Sequence, residues 1–337
     1  MQQNQPAILV IGAGSWGTAL AILLAHNQHP VYLWGNDPAQ LEKMQQSRCN
    51  TTYLPNLNFP EKLQITFDLS KTLAQAQTLL IAVPSHAFRA VMTQIKPHLH
   101  ANHQLIWATK GLEHQDNQQH LFLHQVAHQV IGKDYPLAVI SGPTFAAEVA
   151  EGKPTAMTLA AVNIDYAETM AQLFRNDHFR VYTSQDLIGV QLGGAAKNVI
   201  AIAAGVADGL QLGANTRAAL ITRGLHEIMQ LGLALGGKAE TLMGLSGVGD
   251  LVLTCTDNQS RNRRFGLALG QGKSVQAAEQ SIGQVVEGKH VVTQLNEIAQ
   301  QVKVEMPLTS QVYELLQGHC TAQQAAHQLL TRHPKAE

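Results

Sequence analysis

The sequence predicts an α/β N-terminal domain built on a largely parallel sheet, followed by an all-α C-terminal domain. Three observations carry that expectation. At 337 residues the chain exceeds the usual size of a single domain. Up to Thr183, short apolar runs alternate with helical segments, as strands buried on both faces of a parallel sheet do. From Asp186 onward the period is continuously helical, which sets the domains at residues 1–185 and 186–337.

Composition narrows the function classes. Twenty-three basic and 24 acidic residues give a net charge of −1, so no global field attracts nucleic acid or an anionic membrane. Aromatic residues make up only 5%, which weakens a base-stacking reading further. Cys49, Cys255 and Cys320 form no CxxC pair, as expected of a reducing, cytoplasmic setting. The N-terminus has no secretory-signal pattern, and Val190 to Val206, the nearest approach to a membrane helix, is interrupted by glycines and Lys197–Asn198. Among 16 histidines the tightest cluster is His98, His100 and His103; it lacks metal-ligand spacing, reads as a solvated loop, and no metal site is expected.

Ala7 to Ile11 is the first strand, followed at once by Gly12-Ala13-Gly14-Ser15-Trp16-Gly17 and a helical run from Thr18 to Ala25. A GxGxxG between a buried strand and a helix is the dinucleotide fingerprint of a Rossmann-type domain. Gly12 makes the turn, Gly14 lets the backbone approach a pyrophosphate, and Gly17 lets helix and strand pack closely. The helix N-terminus offers free N–H groups to the phosphates.

Val31 to Trp34 is the second strand, where NAD-selective sites carry an acid for the ribose. Here the tip reads Gly35-Asn36-Asp37-Pro38, with the acid displaced three residues past the last apolar position. That argues against strict NAD selectivity: the cofactor is NADPH or NADH, with NADPH favoured. Ala39 to Gln46 is helical, and Cys49 to Pro60 reads as a loop in which Tyr53 either covers a cofactor or packs.

Leu79 to Val83 ends at Pro84-Ser85, and Leu105 to Ala108 ends at Thr109-Lys110-Gly111. Carboxyl ends of strands line the ligand crevice in open α/β sheets, so Pro84, Ser85 and Lys110 are candidates for it. Leu137 to Ile140 repeats the pattern before Ser141-Gly142-Pro143-Thr144-Phe145-Ala146. Thr155 to Ala160 and Phe179 to Thr183 are further strands, with a helix over Asp165 to Phe174 between them.

The helical half holds the remaining chemistry. Between Leu187 and Leu212 nearly every residue is apolar, Gly or Ala, and Lys197 is the only cation. A lysine in such surroundings must find a partner, lose its proton or reach water. Gly193 and Gly194, one turn earlier, leave the helix face bare to another backbone or a ligand. Gly244 to Gly249 is a glycine-rich turn ending at Asp250, which either caps the helix Leu251 to Thr256 or fixes a lysine, and the two roles are compatible. Ser260-Arg261-Asn262 joins a guanidinium, a hydroxyl and an amide on one short loop, either a cradle for phosphate or, with Arg263 and Arg264 behind it, part of a solvated basic patch. Further helices are expected over Asn215 to Leu235, Ala239 to Met243, Arg263 to Gln271, Ser274 to Ser281, Glu287 to Gln301, Pro307 to Gln317 and Thr321 to Arg332.

Taken together, GAGSWGTAL, the Lys110-Gly111-Leu112-Glu113 element, SGPTFAAEVA, GGAAKNVIAIAAG, GLSGVGDLVLTCT, SRNRRFG and VVEG resemble the bacterial NAD(P)-dependent glycerol-3-phosphate dehydrogenases from Gly12 to about Gly288. The resemblance implies a C-terminal domain like that of 6-phosphogluconate dehydrogenase and reversible reduction of dihydroxyacetone phosphate to sn-glycerol 3-phosphate for glycerophospholipid synthesis. It implies that Lys197 is the acid/base; on physical grounds Lys110 close by would lower its pKa by like-charge repulsion, and Asp250 would oppose that shift while holding it in position. It places Lys110, Gly142, Thr144, Lys197, Asp250, Ser260, Arg261 and Asn262 on the substrate. Ser15, Trp16, Lys110, Ala146, Arg261, Val285 and Glu287 match cofactor-contacting positions, beside Gly12, Gly14, Gly17, Asn36 and Tyr53. A homodimer is compatible with the sequence. Other two-domain dehydrogenases, 6-phosphogluconate or ketopantoate reductase-like, and a non-catalytic NADP-sensing module are the alternatives.

Overall fold

The computed structural model describes residues 6–115, 120–133 and 135–331. These fall into two compact units, Met1–Glu113 with Phe122–Val190, and His114–Leu121 with Gln191–Glu337.

The chain runs through β1 (Ala7–Ile11), α1 (Ser15–His26), β2 (Val31–Trp34), α2 (Pro38–Ser47), β3 (Cys49–Asn50), β4 (Leu54–Asn58), β5 (Leu63–Ile65), α3 (Leu69–Leu73) and β6 (Ala76–Ile81). It continues with α4 (Ser85–Ile95), β7 (Gln104–Trp107), β8 (Leu112–His114), β9 (His120–Phe122), α5 (Leu123–Ile131), β10 (Leu137–Ser141), α6 (Ala146–Ala150), β11 (Thr155–Ala161), α7 (Ile164–Gln172) and β12 (Phe179–Ser184). The main sheet has the order β12-β11-β10-β7-β6-β1-β2-β5. Its six strands from β10 to β5 are parallel and realise the Rossmann order, with the switch point between β1 and β6.

The strands β11 and β12 run the other way, because β10 and β11 pair antiparallel. The Gly142–Pro143 turn and the five-residue α6 bring the chain straight back beside the strand it left. A parallel return needs a longer crossover, usually a full helix. A second departure from the sequence expectation lies at Cys49 to Pro60, where β3 and β4 form a two-stranded antiparallel sheet. Helix α1 is buried from Gly17 to Ala25, as a helix apolar on every side must be. Its Leu20 and Leu24 join Val10, Leu33, Leu80, Ile106 and Ile140 in one core.

The helical unit is built around α8 (Leu187–Gly209), with α9 (Gly213–Ala234), α10 (Ala239–Leu242), α11 (Asp250–Thr256), α12 (Arg261–Gly270), α13 (Val275–Ile282), α14 (Glu287–Gln301), α15 (Pro307–Leu316) and α16 (Ala322–Leu330). By length and composition α8 could cross a membrane, contrary to the sequence reading, yet 94% of its apolar window is buried within the protein. Glycines set its packing distance. A Cβ on Gly205 or Gly209 would lie 2.1 and 2.4 Å from the carbonyl oxygens of Arg263 and Leu267 on α12. Reciprocally, a Cβ on Gly266 or Gly270 would meet those of Ile202 and Val206 on α8, at 2.1 and 2.3 Å. The two backbones therefore touch along this seam, which no larger residue permits. On the other side, the buried Glu227 of α9 accepts from Leu308 N at 2.5 Å, Thr309 N at 3.1 Å and Thr309 Oγ1 at 3.0 Å, closing the N-terminus of α15.

Candidate functional site

In the α/β unit, the turn after β1 has the shape a pyrophosphate needs. Gly12 has φ +121°, and a Cβ there would lie 2.5 Å from Ala82 O at the end of β6. A Cβ on Gly17 would lie 1.9 Å from Gly12 O, so close packing of helix on strand requires glycine there. Gly14 is different, because a Cβ added to it would meet nothing within 4 Å. Its bare face opens outward, as close approach of a phosphate demands. Gly14 is also the N-cap of α1 and supplies no side chain, so the cap residue itself does not compete for the first N–H donors, those of Ser15 and Trp16. The residues present fit a dinucleotide.

Two residues that the sequence did not single out hold this turn. The buried Asn50 amide donates to Ala13 O at 3.0 Å and Thr18 Oγ1 at 2.8 Å, and Gln40 Nε2 donates to Ala13 O at 2.8 Å. Asn50 lies in what reads as a loop and Gln40 on the polar surface of a helix, and neither leaves a periodic signal. Asp37, the displaced acid, caps α2: its Oδ1 accepts from Ala39 N at 3.0 Å and Gln40 N at 3.2 Å. Asn36 and Tyr53 are exposed.

At the strand ends, Thr109 Oγ1 donates to Val83 O at 2.8 Å, tying the tip of β7 to that of β6. Lys110 Nζ and Thr144 Oγ1 both donate to Gly142 O, at 3.4 and 3.2 Å. Gly142 itself packs against β11, where an added Cβ would lie 2.8 Å from Met157 Cα. The structure thus brings Lys110, Gly142 and Thr144 together. Ser85 is buried as the first residue of α4, and Ala146 starts α6.

In the helical unit, Lys197 is buried, and its ammonium donates to Asp250 Oδ1 and, at 2.9 Å, to Thr254 Oγ1. Thr254 in turn donates its own hydroxyl to Asp250 O at 2.6 Å, which aims an oxygen lone pair at the lysine. Burial would expel the charge if it stood alone; a buried carboxylate one side chain away retains it. Asp250 is the first residue of α11, whose N-cap is Gly249 without a side-chain bond, so the capping role does not hold and the lysine takes the carboxylate. Thr254 was missed, although it stands one turn after Asp250 on a helix the sequence does announce.

Gly193 explains how Asp250 gets there. A Cβ on it would lie 2.2 Å from Ser246 O, inside the π-helical turn Leu245–Gly249 that leads into α11. The occupant of the bare helix face at Gly193 is therefore another backbone, the one that delivers Asp250.

The next residue on α8 organises the Ser260–Asn262 stretch, which is the N-cap and first turn of α12 rather than the short loop the sequence suggested. Asn198 Oδ1 accepts from Asn262 Nδ2 at 2.9 Å, and Asn262 Oδ1 accepts from Gly288 N at 2.9 Å. Ser260 is the N-cap of α12, its hydroxyl accepting from Arg263 N at 3.2 Å. Arg261 extends toward Gln284 Oε1 at 3.4 Å, and its pKa is lowered chiefly by burial, with Glu287 opposing that shift. Arg261 and Glu287 are thus neighbours, and Val285, between Gln284 and Glu287 in the chain, is exposed. Arg263 does not belong to a solvated patch: it is buried and paired with Asp208 and Asn258. Asp208 also accepts from Arg217 Nη1 at 2.9 Å.

His103 likewise departs from the solvated-loop reading. It is buried, its ring nitrogens bonded to Leu73 O at 3.1 Å and His100 N at 3.0 Å.

Comparison with known proteins places both halves. The families described as NAD-dependent glycerol-3-phosphate dehydrogenase N-terminus and C-terminus match residues 7–167 and 186–327. Glycerol-3-phosphate dehydrogenase (NAD(P)+) of Serratia proteamaculans is 54% identical over 338 residues, covering 100% of this chain and 99% of that protein. Its counterpart from Yersinia pestis strain Pestoides F is 53% identical with the same coverage. The crystal structure of glycerol-3-phosphate dehydrogenase from Coxiella burnetii superposes with a TM-score of 0.93 at 48% identity, covering 98% of this chain and 100% of that one. A ketopantoate reductase from Ralstonia eutropha shares only the fold, with a TM-score of 0.59 at 15% identity. A phosphate-ready glycine turn on one unit, a buried Lys–Asp–Thr cluster on the other and full-length identity above one half together carry the assignment: the chain belongs to the NAD-dependent glycerol-3-phosphate dehydrogenase family.

Proposed function

We propose that Lys197 is the proton donor in the reversible reduction of dihydroxyacetone phosphate to sn-glycerol 3-phosphate, with NADPH as the favoured coenzyme. The observation that carries the assignment is a buried ammonium held by a carboxylate and a hydroxyl. When bound, the nicotinamide supplies the hydride. Charge then develops on the carbonyl oxygen, and an ammonium that donates a proton there lowers the barrier. Asp250 and Thr254 fix the direction of the Nζ–H bonds, so no reorientation is required during the reaction.

Arg261, Ser260 and Asn262 take the phosphate. A guanidinium already stripped of much of its water binds a phosphate more strongly than a solvated one, and Asn262 is locked by Asn198 and Gly288. Lys110, Gly142 and Thr144 are assigned to the substrate as well, supported by their convergence on one carbonyl. Gly12, Gly14, Ser15, Trp16 and Gly17 take the dinucleotide phosphates, and Asn36, Tyr53, Ala146, Val285 and Glu287 take other parts of the coenzyme. The engagement of Asp37 as the cap of α2 supports NADPH, since its carboxylate is turned to the helix N–H groups rather than offered to a ribose hydroxyl. A NAD(P)-binding domain at residues 1–185 and a substrate-binding, catalytic domain at residues 186–337 are part of the same reading, with Lys110, Gly142 and Thr144 reaching the substrate from the first and Arg261, Val285 and Glu287 the coenzyme from the second. Three free thiols support a cytoplasmic setting, and sedimentation tests whether two copies associate.

The decisive experiment is Lys197→Ala, assayed for dihydroxyacetone phosphate reduction with each coenzyme and for coenzyme binding by fluorescence. Turnover falls by on the order of 10³-fold while coenzyme affinity stays within a few fold. Near-normal turnover in this variant rules the proton-donor role out.

A further inference from the structure

A cluster of three side chains away from Lys197 has the composition of a metal site. His114 ends β8 and His120 begins β9, and these strands form a two-stranded sheet. Glu297 comes from the middle of α14. One ligand atom from each of the three lies within 4.8 Å of the other two. His120 Nε2 is 2.6 Å from Glu297 Oε2, and the rings of His114 and His120 are 5.1 Å apart between centroids, inclined at 34°. The His120 side chain is fully buried, and its Nδ1 has no hydrogen-bond partner among the described residues.

We propose that His114, His120 and Glu297 bind a divalent transition-metal ion, with zinc as the reference ligand. Two imidazoles and a carboxylate are a donor set for zinc, cobalt or nickel, whereas magnesium and calcium require oxygen ligands. Bond lengths of 2.0–2.1 Å to a tetrahedral ion set neighbouring ligand atoms about 3.3 Å apart. The His120–Glu297 contact is shorter than this, because it is a direct hydrogen bond. The metal replaces that hydrogen bond, the pair opens by less than about 1 Å, and a water completes the fourth position. The consequence is mechanical: the ion ties the ends of β8 and β9 at His114 and His120 to α14. The histidines weighed in the sequence, His98, His100 and His103, are a different set; this one is invisible there because Glu297 lies 177 residues beyond His120.

Zinc is titrated calorimetrically into the EDTA-treated full-length protein carrying Cys320→Ser, which removes the partly exposed thiol as a competing ligand. One equivalent binds, and magnesium does not compete. His114→Ala and Glu297→Gln each weaken binding by on the order of 100-fold, and cobalt gives the intense visible absorption of a tetrahedral site that both variants lose. Two variants that retain packing around His120 guard against misfolding as the cause. Absence of stoichiometric zinc binding overturns the proposal, as does binding that is unchanged in both variants.

Discussion

Gly193→Ala separates the position of Asp250 from its identity. The added Cβ would stand 2.2 Å from Ser246 O, a backbone atom that cannot rotate away. The turn Leu245–Gly249 must recede by roughly 1 Å to restore ordinary contact, and Asp250 follows directly on it. Overpacking of this kind costs about 1–3 kcal/mol. Replacing a helical glycine by alanine returns about 1 kcal/mol, so net destabilisation is about 0–2 kcal/mol. A misplacement of about 1 Å at a catalytic group, in contrast, costs on the order of 10² in rate. The expected result is therefore a large fall in kcat with a small fall in Tm, from a residue that has no side chain of its own. Gly209→Ala is the control: its Cβ would lie 2.4 Å from Leu267 O, an equal packing fault. It sits twelve residues beyond Lys197 on the same helix, about 18 Å along the axis. That variant loses stability and keeps kcat per folded molecule. If Gly193→Ala retains kcat within about twofold of the parent, the reasoning that this glycine sets the Lys197–Asp250 geometry is wrong.

Glu227→Ala strips three donors at the start of α15 of their acceptor and should cost about 3 kcal/mol in urea unfolding; a loss below about 1 kcal/mol would show that water replaces the carboxylate. Burial pushes the Cys255 thiol up to about 12, so iodoacetamide at pH 8 labels Cys320 and leaves Cys255 intact in the native protein, as mass spectrometry of the digest reads directly. Burial also lowers the pKa of His103 below its ordinary 6.5, so the unfolded chain binds the proton more tightly than the folded one. Stability from this group is present above that value and is lost as pH falls below it. His29 and His128 are lowered for the same reason and act in the same direction. His103→Asn should therefore shrink the drop in Tm between pH 7.5 and 5.5; an unchanged drop assigns the acid sensitivity elsewhere.

Much of the fold was legible because it is written locally. Runs such as Ala7 to Ile11 and Leu137 to Ile140 mark buried parallel strands, and the glycine spacing after the first of them specifies a turn whose conformations few other residues adopt. The reversal of β11 left no such trace, since a strand reads the same in either direction. The hairpin Cys49 to Asn58 was missed because β3 has two residues and β4 contains Pro55, which breaks the strand signal.

The sequence by itself determined the class of chemistry: a dinucleotide turn, a lone lysine in an apolar helix, an acid after a glycine turn, and an arginine loop. Each is a short stretch whose residue types constrain one another through neighbours in the chain. Only the tertiary structure decided which of two compatible jobs a side chain performs. It gave Asp250 to Lys197 rather than to a helix cap, Asp37 to α2, Arg263 to Asp208, and Thr254, Asn198 and Asn50 their supporting places. The physical reason is that a buried polar group must be paired, and its partner is chosen by packing between segments far apart in sequence. At Gly193 that choice comes down to one missing methyl group.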